Sequence, residues 1–164
     1  MGILNATTES FYEASQMHTA EAIAERTLTM LAEGADIIDV GACSTKPGLA
    51  PVSEEEEMSR LAVALEAIRN VAPDAVLSVD TFRANIAECC VKDFGVQIIT
   101  DVYGGEADER MFDIVAKLQV PYILTSTRPI LPTEGKSLMY SLAESIARLH
   151  LMGVNDIIVA PGFG

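Results

Sequence analysis

The sequence predicts an α/β fold in which parallel strands close toward a (β/α) barrel. Three observations predict it. Short apolar runs recur along the 164 residues. They alternate with segments whose apolar residues repeat at helical spacing. Polar residues fall at or near the C-terminal end of one run after another, and in a barrel those ends converge on one mouth.

The first run is "MGILN", residues 1–5, and it ends on Asn5. Like the later runs it is apolar without clean alternation, as expected of strands buried on both faces. Residues 19–33 follow as a helix, with Ala24, Leu28 and Leu31 on one face and Gly34 as its stop. The next run, "ADIIDVG" at 35–41, sets Asp39 inside an apolar stretch. The segment after it carries Cys43, Ser44, Thr45, Lys46 and Pro47. On this pattern Asp39 stands at the barrel rim facing a pocket, and the loop after it forms one wall. Ser44 and Thr45 read equally well as ordinary turn residues before a proline.

Residues 53–70 give the clearest helix. Ser53 is its N-cap, Glu56 completes a capping box, and the run Glu54–Glu57 lies at the positive end of the helix dipole. Met58, Leu61, Leu65 and Ile68 make its buried stripe. "AVLSVDT" at 75–81 is the third strand and carries Asp80. A helix over 82–93 ends before Gly95, and "QIITDV" at 97–102 carries Thr100 and Asp101. A helix over 108–119 places Met111, Val115 and Leu118 on one face. "PYILTST" at 121–127 is the fifth strand, residues 137–152 form a helix with Leu142, Ile146 and Leu149, and "DIIVAPG" at 156–162 is the sixth strand.

An open doubly wound sheet competes with a barrel for this alternation. No G-x-G-x-x-G and no phosphate-binding P-loop follows any strand, so a nucleotide-binding sheet lacks its signature. Asn5, Asp39, Asp80, Asp101 and the pair Thr125–Ser126 all sit at strand ends. One such aspartate is an ordinary cap; the same placement on five strands points to a barrel mouth.

The net charge of −13 argues against a nucleic-acid partner and against an anionic membrane surface. No apolar run approaches the roughly 20 residues of a membrane span. The three cysteines form no pairing or metal-ligand spacing, and a reducing cytoplasm is their simplest home.

The motifs then identify a relationship. "GILNATTESF" resembles the G-I-L-N-V-T-P-D-S-F opening of the dihydropteroate synthase family. "EGADIIDVGACSTKPG" is similar to its A-D-I-I-D-V-G-G-E-S-T-R-P-G, "LSVDTFRANIA" to its S-V-D-T and helix, "IITDVYGG" to I-I-N-D-V-x-G-G, and "APGFG" to D-P-G-F-G. The order is kept across residues 1–164, which read as one pterin-binding domain of TIM-barrel type. The resemblance implies condensation of 6-hydroxymethyl-7,8-dihydropterin pyrophosphate with para-aminobenzoate in folate synthesis. It implies Asn5 as holder of Mg²⁺, and Asp39, Thr45, Asp80, Thr100 and Asp101 as substrate-binding residues. Phe11, Lys46 and Pro47 fall on the arylamine side. Open, apolar sheet edges make a homodimer the expected assembly.

Two positions depart from the family pattern. Thr100 stands where I-N-D-V has its asparagine, and Ala160 stands where D-P-G has its aspartate. A paralogue that retains only pterin or pyrophosphate binding is therefore the alternative. The T-E-S-F and S-T-K-P loops speak against a methyltransferase of the same superfamily. By the same resemblance, about six of eight βα units are expected here, with both ends short of a closed barrel.

Overall fold

The computed structural model of the chain describes residues 1–7, 20–44, 50–126 and 138–161. Strand and helix alternate throughout: β1 (Gly2–Asn5), α1 (Ala20–Ala32), β2 (Ile37–Gly41), α2 (Glu54–Val71), β3 (Val76–Asp80), α3 (Ala84–Phe94), β4 (Ile98–Asp101), α4 (Met111–Leu118), β5 (Tyr122–Ser126), α5 (Leu138–Leu151) and β6 (Ile157–Pro161). The strands form one parallel sheet in the order β1-β2-β3-β4-β5-β6. Each helix thus returns the chain to the next neighbour on the same side. A doubly wound sheet would reverse its order at a switch point, and this one never does. The barrel-type α/β expectation holds for the six strands described.

Side chains alternate across each strand, so the two faces of the sheet have separate compositions. One face carries Leu4, Val40, Val79, Ile99, Tyr122 and Leu124, all buried beneath the helices. Leu61, Leu65 and Ile68 of α2, Ile86 of α3, and Met111 and Val115 of α4 close over it. Each such Leu or Ile contributes about 1.5–3 kcal/mol by leaving water, which makes this layer the main hold on the fold.

Two helix details differ from the expectation. In α1 the buried residues are Ile23, Thr27 and Met30, while Leu28 is half exposed. The stripe is rotated by about one residue, because the Thr27 hydroxyl returns a bond to the Ile23 carbonyl (2.8 Å) and so enters the core satisfied. In α2, Ser53 Oγ accepts from the Glu56 amide (3.2 Å), as expected of an N-cap. The Glu56 carboxylate turns to Arg60, and the described bonds contain only the Ser53 half of the capping box.

Candidate functional site

The second face of the sheet is mixed: a set of polar residues shares it with Ile3, Ile98, Ile123 and Ile158. Backbone register aligns Asn5 with Gly41, Gly41 with Asp80, and Asp80 with Thr100. One pleat below, Ile3 aligns with Asp39 and Asp39 with Ser78. One pleat above, Thr125 aligns with Ala160. Residues two apart share a face, so Asn5, Asp39, Asp80, Thr100, Thr125 and Ala160 all belong to the side away from the helices. A Cβ at Gly41 would sit 3.6 Å from Asn5 Oδ1 and 3.7 Å from Asp80 Oδ2, ordinary contact distances that place both groups around this position.

Three strand aspartates meet three different environments. Asp39 is buried rather than at the rim, and Thr100 Oγ1 donates to its Oδ1 at 3.0 Å. Ser78 Oγ lies 2.8 Å from the same Thr100 oxygen. A hydroxyl has one hydrogen. Once Thr100 gives its own to Asp39, Ser78 is the donor to Thr100. Burial raises the Asp39 carboxyl above its usual range, and the hydroxyls of the Ser78–Thr100 pair oppose that rise.

Asp101 is the second. Its carboxylate lies on the helix face, fully buried, and accepts from Tyr103 N (2.8 Å), Gly105 N (2.8 Å) and Tyr122 Oη (2.7 Å). The turn it holds needs Gly104 and Gly105 at positive φ, and a Cβ on Gly105 would strike the Phe112 ring at 2.2 Å. The expectation that Asp101 binds substrate is corrected by this geometry. Strand alternation turns it away from Asp80, and both its oxygens are occupied in building the β4–α4 turn.

Asp80 is the third, and among the described residues no donor reaches its carboxylate. Burial first, then the negative charges of Asp39, Asp101 and Glu57, push it up to about 7. A half-buried carboxylate without a donor, beside an exposed asparagine, is the group on this face with bonding capacity left for a ligand.

Next to it lies a network absent from the sequence-based expectation. Glu57 is not solvated at the helix end but fully buried. Its Oε1 accepts from Thr81 Oγ1 at 2.7 Å, and its Oε2 pairs with the Arg83 guanidinium. Arg83 also donates to the carbonyls of Val52 and Ser53 and lies over the Phe82 ring, 4.9 Å from its centroid. One signal for Glu57 was present: it stands four residues before Leu61, on the buried stripe of α2. Beyond this network, a cavity of about 450 Å³ opens between Phe82, Arg83 and the 107–110 turn. Asp108 and Arg110 on its wall pair with each other at 3.0 Å.

The description "Pterin binding enzyme" matches residues 1–164 in full. The chain belongs to the pterin-binding enzyme family. It is 37% identical over its whole length to dihydropteroate synthase of Staphylococcus epidermidis, and 39% identical to that of Clostridium beijerinckii. It spans 62% of the length of each of these relatives. Among solved structures it is similar to Xanthomonas albilineans dihydropteroate synthase with 4-aminobenzoic acid (TM-score 0.85, 33% identity, 99% of this chain and 60% of that one). It is also similar to the Anaplasma phagocytophilum enzyme with bound 6-hydroxymethylpterin-monophosphate (TM-score 0.81, 34% identity, 99% and 66%).

Membership in the pterin-binding family gives the polar row its context. Asn5, Asp39, Asp80 and Thr100, four of the residues expected from the family motifs, converge on one face. Phe11, Thr45, Lys46 and Pro47 lie outside the described residues. Thr100 is occupied by Ser78 and Asp39, and Ala160 adds a methyl group to the same face, one pleat further toward the strand ends.

Proposed function

We propose that this chain carries the pterin side of a dihydropteroate synthase. The reaction joins 6-hydroxymethyl-7,8-dihydropterin pyrophosphate to para-aminobenzoate. The arylamine nitrogen bonds to the pterin methylene carbon as the carbon–oxygen bond to pyrophosphate breaks, and the nitrogen loses a proton. This chemistry asks a protein to bind, orient and balance leaving-group charge more than to supply a nucleophile.

The observation that carries the reading is Asp80. A carboxylate with two open oxygens accepts from two adjacent N–H groups, the pattern on an aminopyrimidinone edge. Asp39, held by Thr100, lies one pleat below it. Asn5 fits the magnesium that accompanies pyrophosphate. That cation takes one or two protein oxygens and otherwise water and phosphate oxygens. Asn5 is exposed at the end of β1, and its amide oxygen would be the protein's contribution to that shell. The ion would supply charge neutralisation to the diphosphate when bound.

Thr45, with Phe11, Lys46 and Pro47 on the arylamine side, completes the substrate site in this reading. A cytoplasmic location suits three free cysteines, and no described helix is long and apolar enough to cross a membrane. A homodimer is the proposed assembly.

Calorimetry with 6-hydroxymethylpterin tests the proposal. The chain should bind it, and Asp80→Asn should weaken binding by about tenfold or more, the loss of roughly 1.5–3 kcal/mol for a charged acceptor. Equal binding by Asp80→Asn overturns the reading. Thr100→Asn with Ala160→Asp, which restores the family residues, should strengthen it by roughly 2–6 kcal/mol, 1–3 for each recovered hydrogen-bonding group. Lower stability with unchanged affinity in that double variant would count against a ring site at these positions.

A further inference from the structure

We propose that Arg83 is a positioning residue, one that sets where the segment after β2 rejoins the scaffold relative to Asp80. The geometry is a fork with three acceptors. Arg83 Nη1 pairs with Glu57 Oε2 and lies 3.3 Å from the Ser53 carbonyl; Nη2 donates to the Val52 carbonyl. The Phe82 ring beneath the guanidinium fixes its plane. Thr81, the residue after Asp80, closes the circuit. Its hydroxyl donates to Glu57 (2.7 Å) and accepts from the Arg83 amide (3.2 Å).

Stability alone does not account for this arrangement. A buried ion pair is often matched or bettered by apolar residues of the same volume, because desolvation offsets the attraction. Apolar residues cannot hold two backbone carbonyls, and a lysine cannot serve three acceptors at fork geometry. What the fork accomplishes is a fixed distance between two chain segments. One is the end of β3, which bears Asp80. The other is Val52–Ser53, the return of the segment that follows β2. The Ser53 carbonyl also accepts from the Glu57 amide at 3.0 Å in the first turn of α2, whereas among the described bonds the Val52 carbonyl is held by the fork alone.

The ligand arm of the test rests on the function proposed above; the exchange arm does not. Arg83→Lys is compared with the unaltered chain by amide hydrogen exchange and by calorimetry with two probes. These are 6-hydroxymethylpterin, and para-aminobenzoate in the presence of Mg²⁺ and pyrophosphate. We expect faster exchange at the Glu56 and Glu57 amides, which bond to Ser53, with the Leu61–Ile68 amides unchanged. We also expect about tenfold weaker para-aminobenzoate binding, the loss of one or two hydrogen bonds, with pterin binding nearly unchanged. Unchanged exchange at Glu56 and Glu57 overturns the proposal. So does equal acceleration everywhere, or equal weakening of both probes, since either marks general loosening. Local exchange gain in a chain that binds neither probe leaves the positioning role standing and removes the proposed function. Should Arg83→Lys not fold, Glu57→Leu with Arg83→Met takes its place. A folded double variant with Glu56 and Glu57 unprotected supports the inference. A double variant that also fails to fold shows the pair to be a folding requirement, and overturns it.

Discussion

Thr100 donates its hydroxyl hydrogen to Asp39 across two strands, at 3.0 Å. Ser78 completes the chain at 2.8 Å from Thr100. A buried carboxylate is thereby held by side chains from β3 and β4 at once. The position where the family motifs carry an asparagine is filled here by a residue that serves the protein's own aspartate.

Thr100→Val keeps the shape and removes this bond. Asp39 and Ser78 then each lose a partner in a buried setting. The expected cost is about 1–3 kcal/mol, read from denaturant unfolding at pH 7. A variant as stable as the parent would mean that Ser78 turns to Asp39 and replaces the missing donor.

The Asp80 carboxyl predicts a pH dependence. In the folded chain it holds its proton up to about pH 7, whereas an unfolded aspartate releases it near pH 4. The folded state binds more protons between those values. The associated stability is therefore complete below about pH 4 and is lost as pH rises toward 7. Asp39 and Asp101, also raised by burial, act in the same sense. Glu88, held low at the surface by Lys117 and Lys92, acts oppositely in acid and is weakened by screening. The chain should be more stable at pH 5 than at pH 8 by roughly 2–4 kcal/mol. Asp80→Asn should remove most of that difference. Urea titrations of both proteins at both pH values check it.

The sheet edges predict association. Ile3 on β1 is 63% exposed, and Ile158 and Val159 on β6 are 48% and 42% exposed. Apolar edge strands carry unpaired backbone groups and invite pairing with another chain. Sedimentation of this chain should depend on concentration, and Ile3→Lys should reduce the association. A monomer over a hundredfold concentration range, with a sharp concentration-independent unfolding transition, would contradict it.

The sequence by itself determined the element order and the identity of every strand and helix described, because those follow from local periodicity and local stops. Leu61, Leu65 and Ile68 announce a helix wherever they are buried. Runs such as "ADIIDVG" announce a strand whichever neighbours pair with it. It also located Asn5 and Asp80, since strand ends are visible as the last residues of apolar runs, while Thr100 was marked by the family motif. Only the tertiary structure decided what each polar group faces. Asp80 and Asp101 look alike in sequence, yet alternation and register send one to the open face and the other beneath Tyr122. Glu57 reads as one more acid in a surface run. Its burial depends on Thr81 and Arg83, which lie 24 and 26 residues away. A buried charge is tolerated only when partners arrive to satisfy it, and those partners come together only when the sheet forms.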